Sequence, residues 1–235
     1  MLSGIPNGFL KVKSLMSVFA LLIMTGFACS QVHAEDQAQV HAQKQTEPKL
    51  LIVGDSISAG FGIPVEEQWP LLLEQKLRDR FPQLTVVVAA ISGDTTSGGR
   101  SRLPALLERH KPDVTLLALG GNDALRGTPL SLVRNNLTAM IKATQESGSE
   151  VILAGMQIPP NYGPAYTEGF RTLYIELSGS YNTGLVPFLL EGVATVDGMM
   201  QDDGIHPTTE AQPTLADNVA PEVLKLITPQ ATPAE

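Results

Sequence analysis

Cysteine is nearly absent from this chain of 235 residues, which contains a single one, Cys29. A lone thiol cannot form an intramolecular disulfide, and it cannot supply a cysteine-based zinc site. Cys29 also lies in an N-terminal segment with the features of an export signal, described below, so catalysis by cysteine is excluded as well.

Basic and aromatic residues are also scarce. Lys and Arg number 16 against 24 Asp and Glu, which gives a formal net charge of −8. Nucleic-acid binding needs a basic face, so no nucleic-acid partner is expected. Aromatic residues make up only 5% of the chain, with one Trp, and no platform for stacking against sugars is evident.

A hydrophobic run long enough to span a bilayer comfortably is missing too. Residues 14–28, SLMSVFALLIMTGFA, form an apolar stretch of the shorter kind found in signal peptides. Two lysines precede it, and the small residues of VHA (32–34) follow. We predict a signal peptide at 1–34 and a periplasmic or secreted protein. The alternatives are an uncleaved membrane anchor and a lipoprotein acylated at Cys29.

The remaining chain suits one folded domain. Residues 35–48 are polar and lack apolar periodicity, so we predict a flexible leader there. We predict the domain itself at 49–228 and a disordered tail at 229–235. A 43% hydrophobic content is enough for one sizeable core, and a monomer is expected.

Aliphatic runs alternate with amphipathic segments along the domain. The runs suit strands buried on both faces of a parallel sheet and occupy 49–54, 84–90, 113–120, 150–156 and, more weakly, 184–188. The helical patterns occupy 66–81, 98–110, 129–147 and segments near 168–180 and 212–227. This order predicts an α/β protein, a three-layer α/β/α sandwich around a five-stranded parallel sheet. Its ligand site is expected outside the carboxyl ends of the strands.

Ser56 directly follows the first predicted strand, in the turn GDS (54–56). The preceding glycine allows a sharp turn, and a helix start after Ser56 would supply free N–H groups, which together suit a nucleophile. The alternative is an ordinary serine in a strand-to-helix turn. Ser58 is a weaker candidate, and the stretch is not the G-x-S-x-G elbow of α/β-hydrolases.

His206, in MQDDGIHP (200–207), is the one histidine expected at the same edge of the sheet. A carboxylate on one ring nitrogen would fix its tautomer and leave the other nitrogen free to accept a hydroxyl proton. Asp203 lies three residues earlier, and Asp202 is an adjacent competitor that spacing alone separates poorly. The alternative is a surface turn with an incidental histidine.

Two further turns offer donors for a developing oxyanion. A glycine N–H from SGD (92–94) and the side-chain amide of Asn122 in GGND (120–123) could serve. Asn and Asp also favour plain turns, which is the alternative. A metal-dependent phosphohydrolase could use the carboxylates at Asp55, Asp123 and Asp203 with His206, but it would leave the Ser and Asn unexplained.

Four blocks, GDSISAG, ISGDTT, GGND and DDGIHP, occur in the order found in the SGNH (GDSL) hydrolases. The chain resembles that family over 49–227, and more narrowly its bacterial multifunctional thioesterase I/lysophospholipase/arylesterase branch. The resemblance implies a flavodoxin-like fold. It also implies an esterase acting on aryl and alkyl esters, acyl thioesters and lysophospholipids, with transient contact with membrane lipid.

The resemblance assigns a role to each candidate residue. Ser56 would be the nucleophile, His206 the general base and Asp203 the residue that orients it. The N–H groups of Ser56 and Gly93 and the amide of Asn122 would form the oxyanion hole, and no metal or organic cofactor is implied. Two alternatives remain: a carbohydrate O-deacetylase of the same superfamily, and a non-catalytic acyl- or glycan-binding module.

Overall fold

The computed structural model describes residues 47–158 and 160–227. The predicted signal peptide, Cys29, nearly all of the predicted leader and the predicted tail lie outside the described residues. Five strands form one sheet: β1 (Lys49–Gly54), β2 (Thr85–Ala90), β3 (Val114–Ala118), β4 (Glu150–Ala154) and β5 (Gly184–Val186). Each strand falls within its predicted aliphatic run.

The helices alternate with the strands along the chain. They are α1 (Trp69–Arg78), α2 (Thr96–His110), α3 (Gly121–Leu125), α4 (Leu130–Glu146), α5 (Pro164–Tyr181) and α6 (Gln212–Ile227). Short 3₁₀ turns occupy Val65–Glu67, Pro160–Tyr162 and Thr209–Ala211. The one-turn helix α3 did not appear as a helical pattern, because its five residues are too few to show an apolar period. No helix among the described residues is both long and apolar enough to cross a membrane.

All strand pairs are parallel, and the strand order is β2-β1-β3-β4-β5. Helices α1 and α6 pack against each other, while α4 packs against both α2 and α5, giving a helical layer on each face of the sheet. The predicted α/β fold with a five-stranded parallel sheet is therefore confirmed. The direction in which strands are added reverses after β2, which places the topological switch point between β1 and β3.

Burial differs sharply between the central and edge strands. Strand β3 is buried throughout, and β1 and β4 are buried except at their first residues. Strand β2 lies at an edge, and Val88 on it is 45% exposed. The expectation that this run is buried on both faces is wrong, because an edge strand has a neighbouring strand on one side only.

The carboxyl ends of the three strands β2, β1 and β3 are level with one another. Gly54 at the end of β1 is paired in register with Ala90 of β2 and Ala118 of β3. The loops that follow these strands therefore start side by side at one edge of the sheet. The loops after β1 and β2 carry Ser56 and Gly93, and Asn122 lies in α3, which follows β3.

Candidate active site

Ser56 lies two residues beyond the end of β1 and is 8% exposed. No helix start supplies the N–H groups close to Ser56, because α1 begins only at Trp69, within the helical pattern predicted at 66–81. The intervening chain runs through a series of turns, because Gly60, Gly62 and Pro64 disfavour a continuous helix. The N–H groups near Ser56 are therefore presented by a turn.

A hydrogen-bonded relay joins Ser56 to His206 and Asp203. Ser56 Oγ lies 2.8 Å from His206 Nε2, and His206 Nδ1 lies 2.6 Å from Asp203 Oδ2. Ser56 and His206 are 150 positions apart in the sequence, so the fold brings them together. Spacing left Asp202 and Asp203 open, and the structure places Asp203 on the imidazole.

Asp203 is held by a tight turn as well as by the imidazole. Its Oδ1 accepts hydrogen bonds from the N–H groups of Ile205 at 2.8 Å and His206 at 3.0 Å. The side-chain hydrogen bond with His206, followed by these backbone bonds, lowers the pKa of Asp203 to about 2. An ionised carboxylate accepts only, so Nδ1 carries the proton and Nε2 is left to accept from the Ser56 hydroxyl.

Phe61 covers the imidazole of His206, a contact that sequence reasoning missed. The ring centroids are 4.4 Å apart at an interplanar angle of 33°. Gln201 Nε2 donates to the carbonyls of Phe61 and Pro207, each at 2.9 Å, and so ties the segment after Ser56 to the segment that carries His206. The sequence feature that could have indicated this contact is the position of Phe61, an aromatic residue five positions after Ser56 in a chain with few aromatic residues.

The N–H groups predicted for an oxyanion hole lie at one cavity. Gly93 follows β2 with φ of 78°, a left-handed conformation that favours glycine. Neither the Ser56 nor the Gly93 N–H donates a hydrogen bond to any residue that the structure describes. Both residues line the same cavity as Asn122 and His206.

Asn122 lies in the first turn of α3, with its amide against a buried carboxylate. Asn122 Nδ2 donates to Asp55 Oδ2 at 3.2 Å, and Asp55 Oδ1 accepts from the N–H of Ile57 at 3.1 Å. Asp55 is 4% exposed, and its burial raises its pKa from 3.8 to about 6. This partnership of Asp55 with Asn122 was not predicted, because 67 residues separate the pair.

The cavity above these groups has a volume of about 730 Å³ and mainly apolar walls. That size is within the range of small-molecule sites. The polar lining includes Ser56, Asn122, Gln157, Thr195 and His206. The apolar lining includes Leu125, Met156, Ile158, Phe188, Leu190 and Met200.

The four residues of the phosphohydrolase alternative do not form a metal site. Asp123 is 2% exposed and accepts from both the N–H and the hydroxyl of Thr96, each at 2.7 Å. Asp203 is bound to His206. Within residues 47–158 and 160–227, no three His, Cys, Asp or Glu side chains are grouped so that they could hold a metal ion.

Several curated proteins are similar to this chain. Esterase TesA of Pseudomonas aeruginosa is 47% identical over 185 residues, covering 79% of this chain and 92% of that protein. An arylesterase of Vibrio mimicus is 45% identical over 184 residues, covering 78% and 92%. Thioesterase 1/protease 1/lysophospholipase L1 of Escherichia coli K12 is 40% identical over 178 residues, covering 76% and 84%.

The fold is shared with several solved structures. The crystal structure of TesA matches with a TM-score of 0.73 and 48% identity, covering 76% of this chain and 99% of that one. That of the psychrotrophic esterase EstA from Pseudoalteromonas, inhibited by monoethylphosphonate, matches with a TM-score of 0.72 and 37% identity, covering 75% and 97%. The profile of the GDSL-like Lipase/Acylhydrolase family matches residues 52–212, so the family prediction is confirmed: the chain belongs to the GDSL-like lipase/acylhydrolase family.

Proposed function

We propose that this protein is a serine esterase that hydrolyses carboxylic esters and thioesters through an acyl-enzyme on Ser56. The observation that carries the proposal is the relay from Ser56 Oγ through His206 to Asp203, at 2.8 Å and 2.6 Å, beside an apolar cavity. The activities named for the relatives, esterase, arylesterase and thioesterase/lysophospholipase, support the same chemistry.

Acylation uses the relay in one direction. Ser56 Oγ attacks the carbonyl carbon while His206 Nε2 takes the hydroxyl proton, and Asp203 stabilises the imidazolium that forms. The tetrahedral oxyanion is stabilised by the N–H groups of Ser56 and Gly93 and by the Asn122 amide. The imidazolium then protonates the leaving alkoxide or thiolate, and the acyl group remains esterified to Ser56.

Deacylation repeats these roles with water. His206 takes a proton from a water molecule that attacks the acyl-enzyme, and the same three donors hold the second oxyanion. The imidazolium returns the proton to Ser56 Oγ as the carboxylic acid leaves. Every protein group used in this cycle is a side chain or a backbone N–H group of the described residues.

The cavity favours acyl chains longer than acetyl. Its volume of about 730 Å³ is far larger than an acetyl group needs, and its apolar residues would remain in contact with water beside so small a group. Phe188 and Leu190 are among these apolar residues. Fatty acyl esters, thioesters and lysophospholipids fill such a space better than the acetylated sugars of a deacetylase.

The experiment is hydrolysis of p-nitrophenyl esters from acetyl to palmitoyl by the purified protein and by Ser56→Ala. Ser58→Ala is the matched control, because Ser58 is buried nearby and its Oγ has no hydrogen-bond partner among the described residues. We expect activity to rise from acetyl to medium chains, to vanish in Ser56→Ala and to persist in Ser58→Ala. Activity confined to acetyl supports the deacetylase, and equal turnover by Ser56→Ala overturns the proposal.

Two further measurements test the alternatives. Treatment with a chelator separates the esterase from a metal-dependent phosphohydrolase, and fatty-acid binding without turnover separates it from a binding module. A chelator in excess should leave esterase turnover unchanged, since no step draws on a metal; loss of activity that returns with added Zn²⁺ or Mn²⁺ supports the phosphohydrolase class. A protein that binds a fatty acid but turns over no ester at any chain length is a binding module.

We also propose that the chain is exported to the periplasm or beyond and cleaved near Ala34. The support is the charged and apolar N-terminal sequence, which lies outside the described residues. N-terminal sequencing of the mature protein tests this. A start at Glu35 is expected, whereas a blocked, acylated start at Cys29 would establish the lipoprotein.

Gel filtration against the mass of one chain tests the expected monomer.

A further inference from the structure

One guanidinium, that of Arg102 in α2, joins the carboxyl ends of two adjacent strands. Its Nη2 donates to the carbonyl of Gly54 in β1 at 3.1 Å, and its Nη1 donates to the carbonyl of Ala89 in β2 at 2.6 Å. Its Nε donates to Asp94 Oδ2 at 2.8 Å. Three donors of one rigid, planar group thus contact three separate points of the backbone and loop.

The three acceptors flank two of the groups assigned to the oxyanion hole. Gly54 lies two residues before Ser56, and Asp94 comes directly after Gly93. The Ser56 and Gly93 N–H groups belong to different loops, each anchored to its own strand end. Their separation therefore depends on how firmly those two strand ends are held together.

The loop that carries Gly93 needs such an anchor. Strand β2 is an edge strand, Gly93 is exposed and Ile91 before it is 54% exposed, so little buried surface restrains this turn. The bond from the Asp94 N–H to the Ile91 carbonyl closes the turn on itself. The Ile91 N–H also donates to the Gly54 carbonyl at 3.1 Å, and Arg126 Nη2 donates to the Gly93 carbonyl at 3.0 Å. The Arg102 guanidinium adds to these bonds by joining Asp94 to the strand that carries Ser56.

The ion pair between Arg102 and Asp94 is largely buried, and Gly98 leaves room for it. Their side chains are 20% and 10% exposed, so water screens the pair less than it screens an ion pair on the surface. A Cβ on Gly98, in the first turn of α2, would lie only 1.9 Å from Asp94 Oδ1. The absence of a side chain at Gly98 is what lets the carboxylate lie between the helix and the guanidinium.

We propose that Arg102 is a positioning residue that fixes the spacing between the Ser56 and Gly93 N–H groups. Arg102 does not line the cavity, and its hydrogen bonds go to Asp94, Ala89 and Gly54 and not to the relay, so it acts through the two loops. The inference rests on the proposed esterase function, because only an oxyanion makes that spacing matter. Loss of the three hydrogen bonds made by the Arg102 guanidinium should weaken binding of the transition state. The apolar cavity that binds the acyl chain should remain intact.

The test compares Arg102→Lys and Arg102→Ala with the wild type on a p-nitrophenyl ester of medium chain length. Lysine keeps the charge but lacks the planar fork. We expect kcat to fall about 10- to 100-fold in both, less than the loss of a whole donor, with KM changed by less than about threefold. The rate of inactivation by a p-nitrophenyl phosphonate should fall in parallel with kcat.

Chemical rescue supplies a second readout, which a general loss of stability would not produce. Guanidinium chloride at non-denaturing millimolar concentration should restore part of kcat in Arg102→Ala, and sodium chloride at equal ionic strength should not. Arg134→Ala is the matched control, because Arg134 also joins two elements by an ion pair, with Glu176, at the exposed surface. Its kcat should be unchanged and insensitive to guanidinium.

Several outcomes overturn the inference. They are kcat within twofold of wild type in folded Arg102→Ala, a rise in KM at unchanged kcat, or unfolding of both Arg102 variants. Ser56→Ala, assayed beside them, separates this failure from failure of the proposed function. An inactive Ser56→Ala together with fully active Arg102 variants defeats only the positioning role.

Discussion

The amide of Asn122 faces the buried carboxylate of Asp55, with Nδ2 and Oδ2 3.2 Å apart. A carboxylate only accepts hydrogen bonds, so it fixes which end of the Asn122 amide is its donor end. One N–H of that amide is used by Asp55, and the second remains for an oxyanion in the cavity that both residues line. Asp55 thereby orients a group of the proposed oxyanion hole.

Asp55→Asn should lower kcat about 10- to 100-fold at nearly constant KM. The new amide would place a donor against a donor, so the Asn122 side chain would turn its oxygen toward residue 55 and alter the donor it offers to the oxyanion. Steady-state kinetics on a p-nitrophenyl ester measure this effect. An Asp55→Asn enzyme with wild-type kcat would show that the Asn122 amide needs no such orientation.

The same carboxylate should make the free energy of unfolding depend on pH. Burial raises the pKa of Asp55 to about 6, above its ordinary value of 3.8, so the folded state binds more protons than the unfolded state between about pH 4 and pH 6. The contribution of Asp55 to the free energy of unfolding is fully present below pH 3.8, the ordinary pKa. It is lost as the pH rises through about 6, the pKa in the folded state. The loss is on the order of 2–3 kcal/mol.

Urea unfolding of wild type and Asp55→Asn at pH 4 and pH 7 measures this linkage. The wild type should lose stability relative to the variant as the pH rises, whatever the constant offset between the two proteins. Asp203, whose pKa is lowered to about 2, titrates below this window and acts with the opposite sign. A difference in stability that does not change between the two pH values contradicts the account of Asp55.

Asp203→Ala and Asp202→Ala form a matched pair, since the two carboxylates are adjacent and exposed. Asp203 holds His206 Nδ1 at 2.6 Å, and its removal should reduce kcat by about 10³- to 10⁴-fold through loss of the correct tautomer. Asp202→Ala should stay within about twofold of wild type, as surface substitutions usually do. Comparable losses in both variants would contradict the placement of Asp203 on the imidazole.

Phe61→Ala should lower kcat/KM by about 2- to 12-fold. This range corresponds to the 0.5–1.5 kcal/mol that a ring contact such as that with His206 contributes. Thermal stability should change little, since Phe61 is 50% exposed. Val65→Ala, which removes a 69% exposed side chain from the same loop region, is the control and should leave kcat/KM unchanged. A larger loss in Val65→Ala than in Phe61→Ala would show that His206 needs no aromatic cover.

The sheet was predictable because its strands are continuous aliphatic runs between amphipathic helices. Composition could not place β2 at an edge, since Val86, Val87 and Val88 look no different from the valines of a central strand. That distinction depends on strand order, which is set by the lengths and directions of all the crossovers together. The sequence also left open what supplies the N–H groups near Ser56, because small residues after a strand suit either a turn or a helix start.

The site was predictable where its residues lie in short, recognisable turns. Ser56 and Asn122 closely follow strand ends, which a parallel sheet brings to one edge, and His206 lies in the loop between β5 and α6. The partners that hold these groups were not predictable, because Asp55 with Asn122 and Arg102 with Gly54 meet across 67 and 48 residues. Such contacts leave no local pattern in the sequence.

The most direct test of the account is the site of covalent capture. An alkyl p-nitrophenyl phosphonate should release one equivalent of p-nitrophenol and abolish activity, leaving the phosphonyl group on Ser56 Oγ. Mass spectrometry of the digested protein locates the group. A single label on the peptide that contains Ser56, assigned to that residue and absent from Ser56→Ala, is the predicted result. A label on another residue, or release of one equivalent of p-nitrophenol by Ser56→Ala, would contradict the account.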